Sequence, residues 1–302
     1  MVCSCWGSRA AGIRDPPVGR PSFSSARMAA FRFPAAAHAS SKRHCTRNGR
    51  SEDDDSPCFR YVTRPLPGAK ERPRMKGGRM NDPSSARSEA IETILRHRVS
   101  AIIRTRDEGT ARRAMESAVE GGFRMVEFTL TTPGALELIA SFARRKDLLV
   151  GAGTVLTPAA AREAVEAGAR FLVSPVVDGE VIAEAHRLDV PMIPGAYTPT
   201  EMQTAHSLGA DFIKVFPMPA GGVAFIEAVR GPLPHLRLFP TAGVTAENFT
   251  DFLRAGCAGV GFVRSLFDPA DLAEGRFDVI RSRAARIQQV LAACSDLDVT
   301  GA

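Results

Sequence analysis

Short apolar runs alternate with amphipathic stretches from residue 86 to residue 295. β-Branched or apolar segments occur at VSAIIR (99–104), RMVEFTL (124–130), LLVGAG (148–153) and RFLVSP (170–175). Four more follow at VPMIPG (190–195), DFIKVFP (211–217), LRLFPTAG (236–243) and AGVGFV (258–263). The intervening stretches, such as DEGTARRAMESAVEGG and PAAAREAVEAGA, have helical period. TPTE offers Thr198 as N-cap, Pro199 at the first helical position and Glu201 three residues after the cap; TPAA at Thr157 and TTPG at Thr132 read as similar starts. Glycines in EAGA and SLGA close helices. Eight strands alternating with eight helices over about 200 residues predict an α/β fold, a (β/α)8 TIM barrel. The competing open doubly wound sheet is disfavoured because no GxGxxG opens the first βα unit.

Residues 1–85 lack this periodicity. They are rich in Ala, Ser, Arg, Pro and Gly, a composition that buries too little apolar surface to order itself, so a disordered N-terminal extension is expected. Residues 296–302 read as a short tail. The formal net charge of +6 belongs to the extension: residues 1–50 hold nine of the 39 Lys and Arg against one acid, Asp15. Removing these leaves 30 basic and 32 acidic residues, which argues against a nucleic-acid partner for the barrel. An Arg- and Ser-rich, acid-poor first 50 residues is the composition of an organelle transit peptide. The expected address is the plastid stroma, with mitochondrion or cytoplasm as alternatives. No run of about 18 apolar residues occurs, so no membrane partner is expected. Cysteine and histidine spacing suggests neither a metal site nor a disulfide framework, and a reducing compartment is the simplest context.

DFIKVFP carries the most informative residue. Strand alternation in a barrel sends Ile213 and Val215 to the helices and leaves Phe212, Lys214 and Phe216 inside. From residue 86 onward the chain has only two lysines, Lys146 and Lys214, among many arginines. Lys146, in ARRKD, reads as an ordinary solvated charge. A buried lysine can lose its proton and attack a carbonyl, which arginine cannot, so Lys214 points to Schiff-base chemistry, with a structural ion pair as the bland alternative. Such chemistry needs an acid/base group. In RMVEFTLTT the same alternation turns Val126 and Phe128 outward and Glu127, Thr129 and Thr131 inward, making Glu127 the candidate and Lys214 its expected resting partner.

The segments GFRMVEFTLTTPG, GAGTVLTP, FLVSP, IPGAYTPTE, GADFIKVFPMPAGG, FPTAGVTAENF and GFVRSLFDPADL resemble, in order and spacing, the KHG/KDPG aldolase family over roughly residues 88 to 294. The resemblance implies a class I aldolase acting on 2-keto-3-deoxy-6-phospho sugar acids, in a plant or algal organellar form. It implies Lys214 as Schiff-base nucleophile, Glu127 as general acid/base, and Thr154, Pro175 and Phe216 lining the keto-acid pocket. Gly243 and Ser265 match positions that hold the substrate phosphate, with Ala242 and Arg264 beside them; loops after the last two strands of such barrels are the usual phosphate cradle. Two departures stand out. Thr131 occupies the place of an arginine that grips the substrate carboxylate in the phosphogluconate-type enzymes, and Ala242 that of a second glycine. Arg104, at the end of the first strand and inward by parity, matches the carboxylate-binding arginine of the phosphogalactonate-type branch, leaving Thr131 as a minor contact. No metal or other cofactor is implied, and a homotrimer is. Alternatives left open are 4-hydroxy-2-oxoglutarate cleavage, decarboxylation of a 2-oxo diacid, and a non-catalytic sugar-phosphate-binding barrel; preference at C4 is not read.

Overall fold

The computed structural model describes residues 85–294, so the expected leader and tail lie outside the described residues. The described residues begin with α1 (Ala86–His97), β1 (Val99–Ile103), α2 (Glu108–Glu120), β2 (Met125–Thr129), α3 (Ala135–Phe142) and β3 (Leu149–Gly153). It continues with α4 (Pro158–Glu166), β4 (Phe171–Val173), α5 (Gly179–Arg187), β5 (Met192–Ile193), β6 (Gly195–Ala196) and α6 (Pro199–Ser207). The last third holds β7 (Ile213–Val215), α7 (Val223–Arg230), β8 (Leu238–Pro240), α8 (Phe249–Arg254), β9 (Val260–Phe262), α9 (Pro269–Glu274) and α10 (Phe277–Ala293).

All strand pairs are parallel, and they form two curled sheets: β5-β4-β3-β2-β1-β9 and β6-β7-β8. The run expected as one strand at VPMIPG is split at Pro194, whose nitrogen has no hydrogen to give a ladder. Hydrogen bonds continue past that break, since Asp211 N donates to Met192 O (3.2 Å) and Lys214 N to Pro194 O (2.9 Å). On the other side, Ala258 N donates to Leu238 O (2.9 Å), and Thr241 bridges to Gly261.

Period-2 alternation divides the core in two. Ala101, Ile103, Val126, Phe128, Val150, Ile213 and Val215 pack in one cluster with helix residues such as Ala111, Leu138 and Ile226. Their neighbours Met125, Leu149, Phe171, Ile193, Phe212 and Phe239 form a second cluster inside the sheets. Burial of each such large side chain is worth roughly 1.5–3 kcal/mol. Ala90 and Ile94 of α1 join the inner cluster, so α1 closes the N-terminal end of the strands. This helix and the short α9 go beyond the eight helices expected. α1 starts at Ser85, whose side chain accepts from Ser88 N, and ends where Arg98 turns left-handed at φ 58°.

Helix starts follow the sequence signals at two of three places. Thr198 and Glu201 form a reciprocal capping box on α6, and Thr157 caps α4. Thr132 does not start α3; the N-cap is Gly134 at φ 68°. A Cβ on Gly134 would lie 2.4 Å from Glu108 Oε2, so the turn needs both the left-handed backbone and the missing side chain. The Thr132 hydroxyl instead lies 3.2 Å from that of Thr129 and accepts from Thr105 N.

Candidate active site

Lys214 occupies the middle of β7, paired with Gly195 on one side and Phe239 on the other. Its neighbours Ile213 and Val215 pack outward, so its side chain is turned inward and the residue is only 7% exposed. Glu127, in the middle of β2, is turned inward by the same alternation and is 2% exposed. Both inward assignments from the sequence hold. Lys146 is exposed.

The two groups perturb one another. Burial pushes the Lys214 amine below the ordinary lysine range; the Glu127 charge opposes that shift, and Arg104 adds to it. Burial pushes the Glu127 carboxyl above the ordinary carboxylate range, against the pull of Lys214 and Arg104. The expected resting ion pair is not made: no Lys214–Glu127 contact falls within 4.0 Å, and Glu127 Oε1 is buried without a hydrogen-bond partner. The reason is position. Glu127 belongs to the six-stranded sheet and Lys214 to the three-stranded one, so they approach across the interior rather than along a ladder.

A cavity of about 310 Å³ opens over the lysine. Arg104, Phe216, Ala242, Gly243, Arg264 and Ser265 line it together with Lys214. Phe216 shields the amine, its ring centre 5.1 Å from Nζ. Arg104 leaves the end of β1 and donates to Thr154 Oγ1 at 3.3 Å. Thr154 is held left-handed, at φ 62°, directly after β3.

Glu127, Thr154, Thr131 and Pro175 lie outside the cavity lining. Thr131, expected inward, is exposed instead, because β2 ends at Thr129 and the alternation stops there; its hydroxyl lies 3.2 Å from that of Thr129. Pro175 is half-buried behind Gly195, where a Cβ would come within 2.3 Å of the Pro175 carbonyl oxygen. Ser265 reaches the cavity, but its hydroxyl donates to Val244 O at 2.7 Å. The close packing of Glu127 also explains a glycine: a Cβ at Gly153, on the adjacent strand, would stand 2.0 Å from Oε1.

The sequence reading missed Thr241 and Thr245, which also line the cavity. Thr241 is 2% exposed, and its buried Oγ1 has no hydrogen-bond partner. Its signal was the inward parity it shares with Phe239. Among the described residues, no three His, Cys, Asp or Glu side chains cluster to hold a metal, and no helix is long and apolar enough to cross a membrane.

A parallel α/β fold that carries a desolvated amine to a cavity, electrostatically coupled to a buried carboxyl, defines a class: proteins equipped for lysine-dependent carbonyl chemistry. Comparison with known proteins narrows it. Residues 91–282 match the family model of KDPG and KHG aldolases, and the chain belongs to that family. It is 33% identical over 210 residues to the 2-dehydro-3-deoxy-phosphogluconate aldolase of Treponema pallidum, covering 67% of this chain and 96% of that one. It is 37% identical over 140 residues to the KHG/KDPG aldolase of Escherichia coli K12, a match covering 46% of this chain and 66% of the relative's length. The fold superposes on the KDPG aldolase of Legionella pneumophila, solved with pyruvate captured as a covalent carbinolamine. That match has a TM-score of 0.60 and 27% identity, over 66% of this chain and 97% of that one.

Proposed function

We propose that this protein is a class I aldolase that cleaves a 2-keto-3-deoxy-6-phospho sugar acid to pyruvate and glyceraldehyde 3-phosphate. One observation carries the proposal: a lysine buried at the edge of a ligand-sized cavity, with its amine pushed toward the neutral form and a buried carboxyl nearby. A neutral amine is a nucleophile, and the dry site favours that state. Lys214 attacks the C2 ketone, and the Glu127 carboxyl, whose proton affinity burial raises, donates the proton with which water leaves the carbinolamine. The iminium draws the electrons of the C3–C4 bond toward nitrogen, while the Glu127 carboxylate takes the C4 hydroxyl proton, directly or through a water. Glyceraldehyde 3-phosphate departs, the enamine is protonated at C3, and water releases pyruvate.

Arg104 is assigned the substrate carboxylate, because a guanidinium makes paired charge-assisted bonds and Thr154 steadies this one. Thr131 and Pro175 are left as minor contacts at the rim. The loop Ala242–Gly243, with Arg264 and Ser265, is assigned the phosphate. We read the two sheets as a single (β/α)8 barrel, with β5 and β6 one strand interrupted at Pro194 and the second seam closed through Thr241 and Gly261. An organellar form addressed to the plastid and assembled as a homotrimer completes the proposal; the acid-poor leader composition supports the first and the family resemblance the second.

Borohydride reduction in the presence of pyruvate tests the proposal. Peptide mass analysis is expected to find a pyruvate-derived adduct on Lys214; no adduct, or one confined to another residue, would reject it.

A further inference from the structure

The loop between β8 and α8 takes two consecutive residues into the left-handed region, Ala242 at φ 64° and Gly243 at φ 91°. Alanine disfavours that region, so surrounding contacts must hold the turn. Asn248 supplies them. It stands at the N-cap of α8 yet makes no side-chain capping bond, although that is the usual use of asparagine there. Its carboxamide turns back instead, with Nδ2 donating to Gly243 O at 2.9 Å and Oδ1 accepting from Thr245 N at 2.8 Å. Ser265 Oγ ties down the carbonyl between them, Val244 O. The N–H groups of Gly243 and Val244 are left without a protein acceptor among the described residues, and both residues line the Lys214 cavity beside Ala242, which follows the Thr241–Gly261 bridge. Successive unpaired N–H groups in a turn form a concavity suited to an anion.

We propose that Asn248 is a positioning residue for the substrate phosphate: by engaging one carbonyl and one N–H across the loop, it holds the free Gly243 and Val244 N–H groups ready for the anion. Only a carboxamide does both at once. A carboxylate at this position would keep the acceptor for Thr245 N, lose the donor for Gly243 O, and set a negative charge beside an anion site. The inference rests on the phosphate assignment made above.

The test compares wild type with Asn248→Ala and Asn248→Asp in three measurements: KM and kcat for the phosphorylated substrate, inhibition of cleavage by inorganic phosphate, and the rate of borohydride trapping with pyruvate, which carries no phosphate. Loss of the ties is expected to raise KM and the inhibition constant for phosphate in parallel, about tenfold for Asn248→Ala and more for Asn248→Asp. Pyruvate trapping should stay within about twofold of wild type, which a general collapse of the site would not allow. Unchanged KM and phosphate inhibition in either folded variant would overturn the inference, as would an equal fall in pyruvate trapping. Should Asn248→Ala fail to fold, Asn248→Asp alone decides the matter, because it retains the Thr245 contact. Failure of wild type itself to trap pyruvate or respond to phosphate would refute the aldolase reading, an outcome distinct from variants that behave as wild type.

Discussion

Gly153→Ala separates fold from chemistry at the Glu127 carboxyl. The new methyl would sit 2.0 Å from Oε1, 2.8 Å from Cδ and 3.1 Å from Cγ of Glu127, whereas ordinary contact starts near 3.4 Å. The carboxyl must therefore retreat by about 1.4 Å or more. A displacement of about 1 Å at a reacting centre costs on the order of 10²-fold in rate. Stability should suffer far less. The obstructing atoms belong to the end of a flexible side chain, Gly153 is absent from the positive-φ positions, and replacing glycine also lowers the entropy of the unfolded chain by about 0.4–1 kcal/mol. Set against an overpacking cost of about 1–3 kcal/mol, the net loss is about 2.6 kcal/mol at most, a fall of no more than about 10 °C in Tm for a domain of this size. Pyruvate release in a coupled dehydrogenase assay, run beside thermal unfolding, measures both. A folded variant whose kcat stays within about threefold of wild type would refute the placement of Glu127 at the reacting centre.

Two further outcomes follow from the site's electrostatics. Burial lowers the Lys214 pKa, so the neutral amine accumulates as pH rises and reaches its plateau below the range of a free lysine; pyruvate trapping followed against pH should reach half-maximum below 10.5, and a midpoint at or above that value would contradict the desolvated amine. Arg104→Lys keeps the charge but loses the planar fork, so the KM for the keto acid should rise about tenfold with a smaller change in kcat; unchanged steady-state constants would remove Arg104 from the carboxylate site.

Much of the architecture was legible as pattern. Alternation of apolar positions places Ile213, Val215, Val126 and Phe128 outward, and so turns Lys214 and Glu127 inward, because successive side chains on a strand point to opposite faces. The near-absence of lysine elsewhere in residues 86–302 sharpened the choice of Lys214. Local chemistry likewise marked the caps at Thr157 and Thr198, whose partners lie within three residues. Where a capping motif met a competing contact, as at Thr132, the local signal misled.

The rest depended on which strands lie opposite one another. Whether Lys214 and Glu127 touch, whether Thr241 finds a partner, and where Asn248 spends its carboxamide are matters of a few ångströms between segments distant or differently turned in the chain. Residue identity and period decide which way a side chain faces, because that is a property of the strand or helix carrying it. Distances across the interior are decided by how the sheets curl and where Pro194 interrupts them, so the coupling of the amine to the carboxyl and the shape of the anion loop exist only in the folded chain.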